Sequence, residues 1–373
     1  MMKKLLIICI ITALSLISIS CTNKEKVGGR EIYIPVLADA TWLTADGAFI
    51  NGVQLAAEDV NTEYSDKGFN TKIDVIDDQA LYEKGVEMAT KVAADNRVTA
   101  VFNLQNFDVS KTTEDILTRS GKLTLFPYGA YDSLFAKYNP YIFCGVPAFS
   151  DLGQAMADYA LKNGYKRIAV YHNGKQSQEE MVTAFELKLL NTETKIVDYV
   201  PSIASANAFD SVYSRWQALG VDGVVISQYG LDRAFEVLKM LRSKDKGLAV
   251  MGEPIFNRAN ALAEYKLIAE GMMVPSTLVI EDSVRLKAFK ERYRQKYGQE
   301  PDIWAVQGYD MIRLVVDTAV RLDTNDPSKI AEAMHEEKGY QGIGRHIAFA
   351  KGGAMIVDVN KLPILICKDG RFE

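Results

Sequence analysis

The run Thr99-Ala-Val-Phe-Asn-Leu-Gln-Asn-Phe-Asp-Val-Ser-Lys-Thr-Thr-Glu-Asp-Ile-Leu117 begins as a strand and finishes as a helix. Val98 to Leu104 is almost unbroken apolar sequence, which suits a strand covered on both faces. Glu114 to Ser120 closes a helix, and Lys122 to Phe126 starts the next strand. Between them lies a loop crowded with amides and cap-competent side chains. A helix that follows a strand gathers free backbone N–H groups and the positive end of its dipole at one point. Such a point holds an anion or polar ligand, or is simply a well-capped helix.

The same handover recurs along the chain. Strands are predicted at Glu31–Ala38, Lys72–Asp77, Tyr141–Val146, Arg167–Tyr171, Thr194–Val200, Gly223–Ser227 and Leu248–Met251. Helices are predicted at Ala45–Asn61, Leu81–Ala94, Leu152–Asn163, Glu179–Leu190, Phe209–Leu219 and Leu231–Ser243. In the first helix Phe49, Val53, Ala56 or Ala57 and Val60 recur at three- and four-residue steps, the period of one buried helical face. Repeated strand–helix–strand units define an α/β fold with parallel sheets covered on both sides. The strands are too many for one comfortable sheet, so the expected architecture is two doubly wound parallel-sheet lobes. Ligands of such sheets lie beyond the carboxyl ends of the strands. That rule selects the loops after Leu37, Leu104, Phe126, Tyr171, Ser227 and Met251.

A chain of 373 residues, 48% hydrophobic and 24% charged, is ordinary for a folded protein of two domains. Lys and Arg number 43 against 48 Asp and Glu, for a formal charge of −5, and no cationic run stands out. Nucleic acid is therefore not an expected partner. At the start, Met-Met-Lys-Lys precedes an apolar run from Leu5 to Ile19, too short for a convincing membrane span, and reads as an export signal. The run ends in Leu-Ile-Ser-Ile-Ser-Cys21 before the polar Thr-Asn-Lys-Glu-Lys. That arrangement looks like a bacterial lipoprotein cleavage site with Cys21 lipidated, although Ser18 stands where a Leu is usual. Ordinary cleavage with Cys21 incidental is the alternative. Residues 1–21 are thus expected as signal peptide and lipobox, and 22–30 as a linker.

Cys144 and Cys367 lie in apolar strand-like segments, and buried free thiols are preferred to a disulfide between them. His172, His335 and His346 are scattered, and no cysteine–histidine spacing suggests a metal. Neither a dinucleotide fingerprint, a phosphate-binding P-loop nor a nucleophile elbow is present. Asp77-Asp78 reads as a turn whose Asp78 caps the helix near Leu81, and Glu179-Glu180 as a helix start favoured by the dipole. No enzyme activity and no cofactor are expected.

Several blocks then carry a resemblance. Gly47-Ala-Phe-Ile-Asn-Gly-Val-Gln-Leu-Ala-Ala-Glu-Asp-Val-Asn61, in which Gly52 allows close helix packing, resembles the first helix of type I periplasmic solute-binding proteins of the branched-chain amino-acid and amide group. Tyr141-Ile-Phe-Cys-Gly-Val resembles the strand entering their first hinge, and Gly164-Tyr-Lys-Arg-Ile-Ala-Val-Tyr171 the first strand of their second lobe. Ala269-Glu-Gly-Met-Met273 precedes the return crossing, and Trp304-Ala-Val-Gln-Gly-Tyr-Asp-Met-Ile-Arg313 resembles a late helix. The blocks are collinear from Glu31 to the C-terminus.

The resemblance implies two lobes, 31–147 with 276–355 and 148–275 with 356–373, joined by a three-crossing hinge. It implies closure on a small-molecule ligand and delivery to the membrane permease of an ABC transporter, without catalysis. With Cys21 lipidated, the protein would sit periplasmic or extracytoplasmic on a membrane. An alternative is an outer-membrane lipoprotein of this fold that activates a cell-wall synthase by contact. Those usually carry an additional helical N-terminal domain, and here few residues separate Cys21 from the first strand.

In amino-acid-binding relatives a Ser and a Thr of the first lobe hold the ligand carboxylate. Their positions fall on Phe107 and Ala130, neither of which donates a side-chain hydrogen bond. Backbone N–H groups at Asp108 and Gly129, with Gln105 or Asn106, are the substitutes. Glu253 in Met-Gly-Glu-Pro falls near the family's acidic anchor for a ligand amine, with an exposed loop Glu as the plain alternative. Tyr229 follows a strand where relatives place an aromatic, while Gln176 and Ser177 are positional candidates only. Trp42, Phe107, Tyr128, Tyr131, Tyr229 and Phe256 supply aromatic surface for a small amphipathic ligand, amino-acid, amide or aromatic-acid like.

Overall fold

The computed structural model describes residues 29–173, 176–201, 206–228, 230–336 and 338–373. The leader, Cys21 and most of the linker lie outside them, as does Tyr229. The chain starts with β1 (Arg30–Ala38), α1 (Ala40–Asp46), α2 (Ala48–Glu63), β2 (Phe69–Asp77), α3 (Tyr82–Ala94) and β3 (Ala100–Asn103). It continues through α4 (Phe107–Arg119), β4 (Leu123–Phe126) and β5 (Ile142–Cys144). These strands form one all-parallel sheet in the order β2-β1-β3-β4-β5.

Next come α5 (Phe149–Lys162), β6 (Arg167–His172), α6 (Gln176–Leu189), β7 (Lys195–Val200), α7 (Ala206–Leu219), β8 (Gly223–Ser227), α8 (Leu231–Lys244), β9 (Ala249–Gly252), α9 (Ala259–Ala269) and β10 (Met273–Pro275). The chain then makes α10 (Val284–Tyr297), α11 (Ile303–Arg321), α12 (Pro327–Met334), the short β11 (Tyr340–Gln341) and β12 (His346–Ile347), and finally β13 (Ile364–Lys368) and β14 (Arg371–Phe372). The second sheet runs β14-β13-β10-β9-β8-β6-β7. Its β13 and β14 are antiparallel additions to a parallel core. The chain passes between the sheets three times: after β5, after β10 and before β13. Among the described residues no helix is long and apolar enough to cross a membrane.

The helix predicted at Ala45–Asn61 is α2, shifted by about three residues, and a short unpredicted helix, α1, precedes it. Asp39 caps α1 by accepting from the backbone N–H groups of Thr41 and Trp42, at 2.9 and 3.2 Å. Gly47, at φ 69°, ends α1 and turns the chain into α2, a conformation that costs glycine little. Gly52 then packs against α11 as its sequence suggests. A Cβ at Gly52 would overlap the Ala305 carbonyl oxygen, and one at Gly308 would overlap that of Phe49.

A buried polar network fixes the first crossing to α11. Gln307 Nε2 donates to the carbonyls of Pro127 (3.0 Å) and Gly145 (2.9 Å). Arg345 donates to Gly145 O at 3.0 Å and pairs with the fully buried Asp310 at 3.3 Å. The second and third crossings are tied together where Ser276 N donates to Pro363 O at 2.8 Å. Cys144 and Cys367 are free, buried thiols on different sheets.

Candidate functional site: the interlobe cleft

The carboxyl ends of both sheets face a cleft holding two adjoining chambers of about 470 and 200 Å³. Residues that follow all six of the selected strand ends line them, after β6 through Gln178 in the first turn of α6. The loop after β1 gives Asp39, Trp42 and Asp46, and that after β3 gives Leu104 and Asn106. The loop after β4 gives Tyr128 to Tyr131. From the second lobe come Gln178, the 230–232 segment, Glu253 to Ile255, and Arg258. Trp42, Leu104, Ile255 and Arg258 are common to both chambers, so they form the partition.

Arg258 is the central strut. Its Nη1 lies 3.0 Å from Asp46 Oδ2 of the first lobe, and both side chains are nearly buried. Its guanidinium sits 4.4 Å from the Trp304 ring centre, 4.7 Å from Tyr128 and 5.6 Å from Trp42. Stacking a weakly hydrated guanidinium on aromatic faces offsets part of its desolvation cost. The Tyr128 hydroxyl also donates to Asp46, at 3.4 Å. Further bonds span the lobes, among them Asp132 N donating to Glu180 Oε2 at 2.9 Å, Ser150 Oγ to Asp132 Oδ1 at 2.6 Å, and Trp304 Nε1 to Asn257 O at 3.4 Å. These contacts bridge the two lobes across the cleft.

Glu253 forms the polar floor of the smaller chamber. It is 4% exposed, and its carboxylate accepts from Ser227 Oγ at 2.7 Å and Gln178 Nε2 at 3.1 Å. All of its hydrogen-bond partners among the described residues are neutral. Burial pushes its carboxyl up to about 7, against the hydrogen bonds from Ser227, Gln178 and the Gln228 backbone. Thr277, on the second crossing, lines the same chamber and is 3% exposed. Among the described residues its hydroxyl has no hydrogen-bond partner. The first-lobe wall opposite is aromatic: Tyr131 packs edge-on against Phe107 (4.2 Å) and stacks on Phe149 (5.5 Å).

Of the residues singled out from sequence, Trp42, Asn106, Tyr128, Gly129, Ala130, Tyr131 and Glu253 line the chambers. The reading of Glu253 as an exposed loop residue fails. Phe107 lines neither chamber and instead buttresses Tyr131. Gln105 is turned inward: its Oε1 accepts from Thr113 Oγ1 at 2.7 Å, and its amide lies beneath α3 beside Gly85. Phe256 is a core residue, fully buried and packed edge-on against Phe235 at 5.1 Å. The backbones of Gln176 and Ser177 open α6, but their side chains lie outside the described residues. Asp78 does not cap α3, whose first turn follows Leu81. It accepts from Ala80 N at 2.9 Å in a tight turn where Gln79 and Ala80 reach φ 55° and 54°. Arg258, Asp46, Gln178, Thr277 and Trp304 were not singled out. Their only sequence signal is position, at strand ends, at a crossing or at a helix start.

A larger hollow, about 820 Å³, opens outward on the first lobe among Asp59, Glu63, Arg292, Tyr309, Arg313 and Asp317. Most of its charges are paired, Arg292 with Asp59 and Arg313 with Glu63 (2.6 Å) and Asp317 (3.1 Å), while Arg285 donates to the carbonyls of Gln341 and Gly342. The interlobe cleft has the better claim, because both lobes contribute to it.

Two open-sheet lobes that share three crossings and enclose a strand-end cleft define a two-lobed binding protein. The chain belongs to the periplasmic binding protein family, whose model matches residues 31–360. These are solute-binding proteins of ABC transporters and not enzymes. A leucine-, isoleucine-, valine-, threonine- and alanine-binding protein of Pseudomonas aeruginosa is 21% identical over 286 residues, 76% of each chain. An ABC transporter substrate-binding protein of Desulfitobacterium hafniense, solved in complex with Leu, superposes with a TM-score of 0.81 at 24% identity, covering 92% of this chain and 99% of its own. A solute-binding protein of R. palustris in complex with benzoate gives 0.76 at 18% identity, over 92% and 95%.

Proposed function

We propose that the chain is the extracytoplasmic substrate-binding protein of an ABC importer, anchored through lipidated Cys21, and that it traps a small amphipathic solute by closure of its lobes. The closing halves are residues 31–147 with 276–355 and 148–275 with 356–373. The observation that carries this reading is the convergence of segments from six strand ends, three in each lobe, on a cleft floored by a buried carboxylate with neutral partners. A carboxylate taken out of water gains from an ionic partner, because charge-assisted hydrogen bonds there are stronger than neutral ones. Glu253 receives the ligand's amine, and Trp42, Tyr128 and Tyr131 pack its apolar or aromatic body. Phe107 and Ala130 offer no hydroxyl to a carboxylate, so the first-lobe clamp of the amino-acid binders is absent. Leucine and benzoate, the ligands of two structural relatives, are of similar size and indicate the scale of solute expected.

A thermal-shift screen of amino acids, amines, amides, ureas and aromatic acids tests the reading, followed by calorimetry and small-angle scattering on the hits. One chemical class is expected to raise the melting temperature and favour the compact form. A complete absence of binding would end the proposal. Incorporation of labelled fatty acid, lost in Cys21→Ser, tests the anchor separately.

A further inference from the structure

We propose that Thr277 is a ligand-contacting residue, its hydroxyl accepting a hydrogen bond from a primary ammonium head that Glu253 grips from the second lobe. This rests on the reading of the cleft as a solute site and names the head group that site selects.

The argument starts from two adjacent hydroxyls on the second crossing. That of Ser276 is used up locally, donating to Leu278 O at 2.6 Å and accepting from Leu278 N at 3.3 Å. That of Thr277, equally buried, has no partner among the described residues and lines the smaller chamber with Glu253 and Gln178. Buried polar side chains are nearly always hydrogen-bonded, so an orphan at a cavity wall marks a group awaiting its partner. The other polar groups of this chamber are engaged. Gln178 and Glu253 bond one another (3.1 Å), and Arg258 is paired with Asp46 (3.0 Å).

The head group must satisfy Glu253 and Thr277 together. Glu253 needs a donor that carries positive charge, and a hydroxyl accepts readily from the same group. A primary ammonium has three N–H donors on one atom, which suits two acceptors and the aromatic wall of Tyr131 and Phe149. A carboxylate head would meet Glu253 as a like charge.

The position of Thr277 has a mechanical consequence. The crossing that carries it is bonded to the third crossing through Ser276 N and Pro363 O, at 2.8 Å. A ligand held by Thr277 therefore touches both lobes and the segment about which they turn.

The test compares the wild-type chain with Thr277→Val, which keeps the shape and removes the hydroxyl, and Thr277→Ser, which restores it. Calorimetric titration uses primary amines from the screen alongside their N,N-dimethyl analogues. Thr277→Val is expected to weaken the primary amine about tenfold or more, the loss typical of a hydrogen bond to a charged group, while Thr277→Ser stays near wild type. The dimethyl analogue is expected to bind wild type and Thr277→Val alike. Equal affinity of wild type and Thr277→Val for the primary amine overturns the proposal. So does a wild-type chain that binds only solutes without an amine, and that result leaves solute capture standing. A wild-type chain that binds no solute overturns both.

Discussion

Glu253→Gln separates what the carboxylate does for binding from what it does to the fold. Burial raises its carboxyl from 4.5 to about 7, and at about 1.4 kcal/mol per pH unit the ionised form costs the folded chain about 3 kcal/mol. The sign follows from the direction. Below pH 4.5 the group is protonated in both folded and unfolded chains, and the penalty is nil. It grows as pH rises towards 7 and is complete above it. The ligand-free wild type should thus lose stability between pH 5 and 8 through this residue. Glutamine keeps the acceptor for Ser227, but its amide faces that of Gln178, which must flip at a cost of about 1 kcal/mol. The variant should therefore be about 2 kcal/mol more stable than wild type at pH 8, with no such gain at pH 4.5, and should bind the amine ligand far more weakly. Urea unfolding followed across that pH range measures the first part, and calorimetric titration the second. A variant less stable than wild type at pH 8, or a wild type with no such loss between pH 5 and 8, would refute the reasoning.

Other substitutions probe the frame around the cleft. Arg258→Ala leaves Asp46 buried without its cation, and breaking such a pair costs about 3–5 kcal/mol; the loss should appear as lobe opening, read as a larger radius of gyration in scattering. Arg345→Met strands the fully buried Asp310 and should destabilise the first lobe by a similar amount, while the double change Arg345→Met with Asp310→Leu should recover much of it. Gly52→Ala drives a methyl into the Ala305 carbonyl and should lower stability by about 1–3 kcal/mol, seen as a reduced melting temperature without loss of ligand class.

The strands were legible because apolar runs between turn residues have few other uses; Gly223–Ser227 is the same in prediction and structure. The strand-end rule led to the cleft from both lobes, after β6 through the start of α6, since it depends on chain direction and not on any side chain. Other features had no local signal. The short α1 buries only Leu43, so it carries no apolar repeat by which to find it ahead of α2. Phe256 and Tyr131 are both aromatics near strand ends, and only packing decides that one meets Phe235 and the other the cleft. Arg258 reads as an ordinary surface cation, because the groups that bury it, Asp46, Tyr128 and Trp304, lie far away in sequence on the opposite lobe. Thr277 was hidden by its neighbour, since only coordinates distinguish the satisfied hydroxyl from the orphan.

The placement of the tryptophans gives the molecule an optical gauge. Of the three in the chain, Trp42 and Trp304 line the chambers, whereas Trp216 is sealed in the second lobe at 1% exposure. Trp42 remains 39% exposed, so its emission samples the water that a solute displaces, against the steady blue background of Trp216. Intrinsic fluorescence, with no label attached, should follow occupancy in real time.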